Sequence, residues 1–317
     1  MKVVLFASGE FSLPTFQWLV YQGHEIPLVI TQPPRPAGRG KKLAATPISV
    51  VARARGLIVE EPENVNEAGV IAFLRRQEAQ LGLVIAYGQK LGAEVLSTFP
   101  AGCINLHASL LPKYRGAAPI NWAILQGEEK SGCTVFRLVE RMDAGPVLSS
   151  RWTWIKPEEI AGELHDRLAA IGVDAVDAAL SQFADGRIPE GTPQDESNAT
   201  RAPKLDKKAG YVRFDQPAAA VARHICGMTP WPGAMSRFHS LDGRWEFVSL
   251  SRARAAEHPR KASEAPGTLD PRLYAATSEG YLELLEVKPA SGRLMSWRDY
   301  VNGRHVHPGD RFAPVEE

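Results

Sequence analysis

Residues 103–125 hold the sequence feature that most restricts the fold of this chain. Apolar residues alternate with Asn105 and His107, which predicts a β-strand whose two polar side chains point to the same side. Pro112 then turns the chain, because proline fixes φ and pushes its predecessor into an extended conformation. Pro119 opens a helix. A strand with a polar pair at its end, a tight loop and a helix are typical of a site on an open α/β sheet.

The polar pair suggests two kinds of chemistry. The imidazole of His107 can move a proton near neutral pH. The carboxamide of Asn105 can donate a hydrogen bond to an oxygen that gains negative charge. Together the two groups suit attack on a carbonyl. The alternative is that both side chains only cap backbone groups at the end of a strand.

The N-terminal part of the chain alternates apolar runs with helical patterns. Residues 2–7 and 81–86 are apolar runs of the kind found in buried parallel strands, and residues 14–20 have a helical pattern. The first turn, SGEFSLP, lacks the G-x-G-x-x-G spacing of dinucleotide-binding folds, so a nicotinamide-dependent oxidoreductase is a weak alternative. We predict an α/β domain with a Rossmann-like parallel sheet over residues 1–189.

The C-terminal part has a different pattern. Residues 190–206 are polar and rich in turn residues, which predicts a linker. Short β-like runs separated by Gly and Pro, such as 281–287, then predict a small β-barrel over residues 207–317. From Arg201 onward the chain has 18 Lys plus Arg against 14 Asp plus Glu, whereas the first 200 residues have 19 against 22. The basic excess lies in the second domain, which favours an RNA-facing surface there.

Composition limits the class of protein. The 317 residues are 44% hydrophobic and 23% charged, as in soluble globular proteins, and the net charge is +1. The three cysteines lack C-x-x-C spacing, which argues for a reducing compartment and against a zinc site or a disulfide framework. The apolar N-terminus predicts a first strand rather than a signal sequence, and no stretch approaches the length of a membrane span. We expect a cytoplasmic monomer without membrane attachment.

The segment around the polar pair also carries a longer pattern. It contains Asn105, His107, Ser109-Leu110-Leu111-Pro112 and Gly116, and Asp143 follows later in the chain. These residues resemble the signature N-x-H-x-S-L-L-P-x-x-x-G, with its partner Asp, of formyltransferases that use 10-formyltetrahydrofolate. The resemblance implies that Asn105, His107 and Asp143 are catalytic and that no metal is needed.

The same resemblance implies where the folate co-substrate binds. The expected folate-binding residues are Tyr87, Gly88, Ser109, Leu110, Leu111 and Pro112. In the family, the backbone after the strand at 81–86 lines the pterin end of the pocket, and the SLLP turn shapes the cleft. For Tyr87 and Gly88, an ordinary strand-to-helix turn explains the residues equally well.

A basic loop lies in the first domain. Residues 32–47, QPPRPAGRGKKLAATP, are rich in Pro and Gly and contain Arg35, Arg39, Lys41 and Lys42 but no acid. One interpretation is a mobile solvated loop, and the other is a loop that contacts a phosphate backbone. The stretch is similar to the loop that methionyl-tRNA formyltransferases insert into the tRNA acceptor arm, and Arg39 best matches the arginine used in recognition. The resemblance thus implies that these four basic residues bind tRNA.

The resemblance covers nearly the whole chain, including an OB-like C-terminal barrel that helps to hold tRNA. It implies transfer of the formyl group of 10-formyltetrahydrofolate to the free amino group of methionine on initiator methionyl-tRNA, for translation initiation. The alternative with the same donor is an amino-sugar nucleotide N-formyltransferase, which carries the same N-x-H and SLLP block. A purine-pathway formyltransferase, a formyl-folate hydrolase and a non-catalytic RNA-binding protein are further alternatives.

Overall fold

The computed structural model describes residues 1–37, 42–257 and 262–315. Its strands are β1 (Val3–Ala7), β2 (Val29–Ile30), β3 (Arg35–Ala37), β4 (Lys42–Ala44), β5 (Val59–Glu60), β6 (Leu81–Ile85), β7 (Cys103–His107), β8 (Arg115–Gly116), β9 (Lys130–Arg137), β10 (Val147–Trp154), β11 (Arg201–Ala202), β12 (Ala234–His239), β13 (Trp245–Ala255), β14 (Ala275–Ala276), β15 (Tyr281–Pro289), β16 (Met295–Ser296) and β17 (Arg311–Ala313). Its α-helices are α1 (Leu13–Tyr21), α2 (Pro47–Ala54), α3 (Ala68–Arg76), α4 (Ala93–Leu96), α5 (Pro119–Leu125), α6 (Ala161–Leu180), α7 (Ala218–Met228) and α8 (Trp297–Arg304). Within these described ranges, no helix is both long and apolar enough to cross a membrane.

The chain divides into two compact units. The first contains Met1–Gly116, Ser131–Thr153 and His165–Ala202, and the second contains Ala117–Lys130, Trp154–Leu164 and Pro203–Glu317. Each unit has its own sheet. The linear boundaries expected from the sequence, 1–189, 190–206 and 207–317, stay a prediction.

The first unit contains a seven-stranded sheet in the order β10-β9-β7-β6-β1-β2-β5. Strands β7, β6, β1, β2 and β5 are parallel, and β9 runs antiparallel to β7. All residues of β1 and β6 are buried, as expected of a parallel sheet that is covered on both faces. Val4 and Phe6 of β1 lie in one apolar cluster with Ile71 and Leu74 of α3. The predicted Rossmann-like sheet is therefore confirmed.

The second unit contains a barrel-like antiparallel sheet. Its strand order is β14-β15-β13-β12-β17, and β16 also pairs in antiparallel with residues 286–287 of β15. A register shift between Leu250 and Arg252 interrupts the ladder of the long strand β13, and such bulges bend a strand and increase its twist. Val221 and Ile225 of α7 lie with Phe312 of β17 in the apolar core of this unit. The predicted small β-barrel is confirmed as a fold class.

Two elements of the second unit, β12 and α8, do not follow from the hydrophobic pattern of the sequence. In β12, the inward residues Ala234 and Ser236 are small, so only Phe238 signals the alternation of a half-buried strand. Helix α8 is polar and buries only Trp297 and Tyr300. Its start is set by a local cap that the hydrophobic pattern does not report, because the Ser296 side chain accepts a hydrogen bond from Asp299 N.

Candidate active site

The strand order of the first unit reverses beside β1, where a crevice is expected at the carboxyl ends of the strands. The strand order continues from β1 to β2 on one side, whereas β6 and β7 lie on the other side. Open α/β sheets bind ligands at such a reversal, outside the carboxyl ends of the strands. Ser8, which follows β1, donates from Oγ to the carbonyl of Tyr87 at 2.9 Å and accepts from Gln32 N at 3.1 Å. These bonds tie the ends of β1, β2 and β6 together at the crevice.

Asn105 and His107 lie side by side on β7, as the alternation predicts. In the ladder with β9, Asn105 is opposite Phe136 and His107 is opposite Thr134. His107 is buried, with 6% of its surface exposed, and Asn105 is half-buried. Among the described residues, none forms a hydrogen bond with the Asn105 carboxamide. Its two N–H donors can therefore bind a ligand without breaking a contact inside the protein.

The contacts of His107 identify its exchangeable proton. Nε2 lies 2.9 Å from the carbonyl oxygen of Tyr114. A carbonyl oxygen only accepts, so Nε2 carries a hydrogen and donates it. Nδ1 is then the nitrogen that gains and loses a proton, and it lies 3.9 Å from Oδ2 of Asp143. This separation is longer than a hydrogen bond but places a carboxylate close to the ring when the ring is protonated.

The backbone around Asp143 fixes its carboxylate. Asp143 has a φ of +50°, in the left-handed region that few non-glycine residues adopt. Its Oδ2 accepts a hydrogen bond from the backbone N–H of Gly116 at 2.8 Å. A Cβ at Gly145 would lie 1.7 Å from the carbonyl oxygen of Arg137, so this loop passes too close to β9 for any side chain there. The structure thus brings all three predicted catalytic residues to the end of β7 and the loop beside it.

One threonine holds the SLLP turn in place. Thr134 Oγ1 on β9 donates to the carbonyl of Ser109 at 2.7 Å and accepts from Leu111 N at 3.1 Å. The Ser109 hydroxyl donates to the carbonyl of Lys113 at 2.6 Å, and the residue is 1% exposed. The carbonyl of Pro112 accepts from Thr200 N at 3.3 Å. Ser109 therefore closes the turn through its own side chain.

Residues 194–202, which we call the strap segment, bind residues 105–116 from far along the chain. We call residues 105–116 the catalytic block, because the resemblance places two of the expected catalytic residues there. Thr200 Oγ1 accepts from Tyr114 N at 2.8 Å, and the Thr200 carbonyl accepts from Arg115 N at 2.9 Å. Strand β11 of the strap segment pairs in parallel with β8. Because the carbonyl of Tyr114 accepts from His107, the strap segment fixes the residue that orients the imidazole.

Gly116 is required where the strap segment meets the catalytic block. Its φ is +126°, and a Cβ built there would lie 2.6 Å from the carbonyl oxygen of Ala202. Glycine alone tolerates both the backbone conformation and the close approach. The backbone N–H of Gly116 also donates to the Asp143 carboxylate. The close approach of Gly116 to Ala202 therefore helps to fix the position of that carboxylate.

Gln194 of the strap segment connects the loop that contains Asp143 with Arg115 of β8. Its Nε2 donates to the carbonyls of Asp143 at 2.9 Å and Gly145 at 2.7 Å. Its Oε1 accepts from Arg115 Nη2 at 2.7 Å, and Arg115 is only 9% exposed. Arg115 also donates to both carboxylate oxygens of Glu196 at 3.0 and 2.8 Å, which lowers the pKa of Glu196. A single glutamine thus joins the Asp143 loop to the strand that leads to Gly116.

The sequence analysis missed Gln194 and Thr200. The contact from Gln194 to Asp143 spans 51 residues, and the contact from Thr200 to Tyr114 spans 86. Both residues lie in a polar stretch whose composition resembles a linker. Thr200 begins a segment, Thr200–Leu205, that is similar to the family's T-Y-A-P-K-L, but neither that pattern nor the composition predicts a contact with Tyr114 or Asp143.

Tyr87 and Gly88 form the turn after β6. The Tyr87 ring is 2% exposed and packs edge-to-face on Phe6 at 5.7 Å, and burial raises its pKa. Its hydroxyl has no hydrogen-bond partner in the part of the chain that the structure describes. Gly88 has a φ of +93°. Because the ring is buried, a ligand at this turn contacts backbone rather than the phenol.

Part of the predicted basic loop forms a short antiparallel hairpin. Its two strands are β3 and β4, which lie within residues 32–47. Arg35 Nη2 lies 3.1 Å from Glu63 Oε2, and both side chains are well exposed, so the pair contributes at most about 1 kcal/mol. Lys42 is exposed on β4. Arg39 and Lys41 lie outside the described residues.

The described residues contain neither a cluster of metal ligands nor an exposed thiol. Over residues 1–37, 42–257 and 262–315, no group of three or more His, Cys, Asp or Glu side chains is arranged to hold a metal ion. The thiols of Cys103, Cys133 and Cys226 are free and buried.

Comparison with known proteins agrees with this fold. Residues 1–180 match the formyl transferase family, and residues 204–305 match the formyl transferase C-terminal domain. The fold and these two matches show a formyl transferase, a class that takes its formyl group from 10-formyltetrahydrofolate. The methionyl-tRNA formyltransferase of Solibacter usitatus is 39% identical over 317 residues, which is 99% of each chain. That of Agathobacter rectalis is 34% identical over 318 residues, which is 99% of this chain and 100% of the relative. The chain belongs to the methionyl-tRNA formyltransferase family.

Solved structures share the fold at lower identity. HypX from Aquifex aeolicus, in complex with tetrahydrofolic acid, superposes with a TM-score of 0.62 at 19% identity, over 95% of this chain and 46% of that longer chain. The sugar 3N-formyl transferase WlaRD has a TM-score of 0.63 at 12% identity, over 92% of this chain and 99% of its own. At these identities the likeness shows the fold alone.

Proposed function

We propose that the chain transfers the formyl group of 10-formyltetrahydrofolate to the free amino group of methionine on initiator methionyl-tRNA, for translation initiation. The observation that carries this proposal is the full-length match, at 39% identity, to a relative of that name. The pairing of His107 with Asp143 at 3.9 Å supplies the matching chemistry. The amino-sugar alternative has support only at the level of the fold.

Asn105 has the oxyanion role in this proposal. The neutral amine of methionine attacks the formyl carbon, and the formyl oxygen gains negative charge. Preorganised N–H donors stabilise such an oxygen, and deleting one typically lowers kcat about 10²- to 10³-fold. The carboxamide of Asn105 suits this role, because it is half-buried beside His107 and forms no hydrogen bond within the described residues.

His107 and Asp143 manage the proton in this proposal. The attacking amine must lose a proton, and N10 of the folate must gain one as it leaves. Nε2 is engaged by the Tyr114 carbonyl, so Nδ1 accepts the first proton and returns it to N10. Asp143 stabilises the positive imidazolium between these steps. Its anchoring by the Gly116 N–H keeps the carboxylate in place during transfer.

The donor and acceptor sites extend these assignments. The folate lies against Tyr87, Gly88 and the SLLP turn, contacting mainly backbone because the Tyr87 ring and Ser109 are buried. Arg35, Arg39, Lys41 and Lys42 bind the phosphates of the acceptor arm. Arg35 is suited to this because its exposed pair with Glu63 is weak and easily exchanged for a phosphate. We further propose that the protein is a monomer and that it is cytoplasmic; the sparse, unpaired cysteines support the second of these, because they fit a reducing compartment.

The proposal is tested by offering two acceptors side by side. Purified chain is incubated with 10-formyltetrahydrofolate and either methionyl initiator tRNA or an amino-sugar nucleotide. We expect only the tRNA to be formylated, Asn105→Ala to lower kcat, and Arg39→Ala to raise KM for tRNA. Asn302→Ala, in an exposed position of α8, is the matched control and should keep wild-type kcat. Formylation of the sugar alone would overturn the assigned acceptor.

A further inference from the structure

Tyr114 has an unusual backbone conformation for a bulky residue. Its φ is +60°, in the left-handed region. Residues with a Cβ rarely adopt this region, and they keep it only where surrounding contacts hold them there. The side chain is buried, with 8% of its surface exposed. The contacts that hold Tyr114 therefore decide where its backbone groups point.

Thr200 of the strap segment supplies contacts on both sides of Tyr114. Its Oγ1 accepts from the N–H of Tyr114 at 2.8 Å, and its carbonyl accepts from the N–H of Arg115 at 2.9 Å. The N–H of Thr200 also donates to the carbonyl of Pro112 at 3.3 Å. Thr200 thus bonds to the peptide groups before and after Tyr114, and these two bonds together restrain both φ and ψ of that residue.

The conformation of Tyr114 directs its carbonyl to His107. The carbonyl oxygen lies 2.9 Å from Nε2 of the imidazole. This carbonyl and the N–H of Arg115 belong to the same planar peptide group, so the bonds to His107 and to Thr200 lie on opposite sides of one rigid unit. A change of Tyr114 to an ordinary helical or extended conformation would rotate this unit and remove the acceptor from Nε2.

The tautomer of His107 depends on this acceptor. A neutral imidazole carries one hydrogen, on either Nε2 or Nδ1. Nδ1 lies 3.9 Å from Oδ2 of Asp143, and a nearby carboxylate favours the tautomer with its hydrogen on Nδ1. In that tautomer Nδ1 has no free lone pair and cannot accept a proton. The shorter contact of Nε2 with the Tyr114 carbonyl opposes it and favours a hydrogen on Nε2.

We propose that Thr200 is a positioning residue, which holds Tyr114 in the left-handed conformation and thereby keeps the hydrogen of neutral His107 on Nε2 and leaves Nδ1 free to accept a proton. This proposal deepens the proposed function and rests on it, because there Nδ1 takes the proton from the attacking amine. Thr200 acts through Tyr114 and contacts no reacting atom. Its loss should therefore lower kcat and leave KM for both substrates unchanged.

The test removes only the hydroxyl. Thr200→Val keeps the branched shape of the side chain, and because Thr200 is exposed the change leaves no cavity. We expect kcat for formylation to fall about tenfold, a part of the roughly 10²- to 10⁴-fold that a positioned general base contributes. Thr200→Ser keeps the acceptor and should restore kcat. Thr98→Val is the matched control, since the Thr98 hydroxyl also bonds to backbone, the carbonyl of Glu94 at 2.9 Å, and this variant should keep wild-type kcat.

A nuclear magnetic resonance measurement reads the tautomer without turnover. The protein is isotope-labelled at its histidine ring nitrogens, and their chemical shifts distinguish a nitrogen that carries a hydrogen from one that does not. The signals of His107 are assigned by their absence in His107→Asn. At alkaline pH we expect the hydrogen on Nε2 in the wild type, in Thr200→Ser and in Thr98→Val. In Thr200→Val we expect a measurable share of the tautomer with its hydrogen on Nδ1.

The outcomes separate this proposal from the proposed function. If Thr200→Val keeps wild-type kcat, or loses kcat while His107 keeps its hydrogen on Nε2, Thr200 does not act through His107 and the proposal is overturned, whereas formylation by the wild type still stands. If the wild type formylates no tRNA but the tautomer changes in Thr200→Val, the positioning of the imidazole stands and the proposed function fails. An equal loss of kcat in Thr98→Val would also overturn the proposal.

Discussion

Gln194→Ala should impair catalysis without removing any group that touches substrate. The wild-type side chain donates to the carbonyls of Asp143 and Gly145 and accepts from the buried guanidinium of Arg115. Two neutral hydrogen bonds and two from the charged guanidinium, through Nε and Nη2, together stabilise the fold by about 5 kcal/mol. Arg115 keeps both bonds to Glu196, which limits the penalty on its charge. We expect the melting temperature to fall and, because the Asp143 loop can shift by about 1 Å, kcat to fall about 100-fold.

A matched glutamine separates this effect from general destabilisation. Gln182 also donates two hydrogen bonds to carbonyls, those of Leu148 at 2.7 Å and Ala178 at 3.2 Å, but among the described residues it forms no hydrogen bond with the Asp143 loop. Gln182→Ala should lower the melting temperature and leave kcat nearly unchanged. Gln194→Glu keeps the acceptor for Arg115 but loses both donors, so it should lose kcat with a smaller loss of stability. Steady-state formylation and thermal melts of the three variants test this reasoning, and equal kcat in Gln194→Ala and Gln182→Ala would refute it.

Three further predictions follow from single contacts. Asp143→Asn removes the charge that faces Nδ1 of His107 but keeps its shape, so formylation kcat should fall about 10²- to 10⁴-fold with an unchanged circular dichroism spectrum. Wild-type kcat in this variant would exclude a role for the charge. Gly116→Ala forces a Cβ against the strap segment, and urea titration should show a loss of more than about 1 kcal/mol of unfolding free energy. Gly69→Ala in α3, where a Cβ meets nothing within 4 Å, should instead gain about 0.5–1 kcal/mol, and equal effects would contradict the geometry. Burial lowers the pKa of His224 from its ordinary value of 6.5, so the unfolded chain binds its proton more readily and stability falls as the pH drops below 6.5. Melting temperatures from about pH 8 to about pH 5 should therefore decline less steeply in His224→Gln, and an unchanged decline would count against this.

The parts of the site that the sequence predicts are those whose chemistry is local. Asn105 and His107 are two residues apart on a strand, so alternation alone places them side by side. The position of Asp143 beside His107 was expected only from resemblance, since no periodicity connects β7 with the loop after β9. Gln194 and Thr200 could not be predicted, because their roles arise only when the folded chain returns to the catalytic block.

The same contrast applies to the fold. The apolar runs at 2–7 and 81–86 become Val3–Ala7 and Leu81–Ile85, because a continuous apolar run has few alternatives to a buried strand. The hairpin of β3 and β4 lies within a stretch that predicts only a loop. Pro36 lies in β3, and proline discourages a strand prediction although an isolated two-stranded ribbon has edges that tolerate it.

The burial of the cysteines makes the native chain suitable for site-specific labelling. Burial raises the pKa of Cys103 and of Cys133 to about 12, so neither forms a reactive thiolate near neutral pH. The pKa of the Cys226 thiol is also raised by burial. A cysteine introduced at an exposed position, such as Lys42 or Arg298, would therefore react with a maleimide dye against a low background. Fluorophores attached at those two positions can report on the separation of the two units in solution without prior removal of the native thiols.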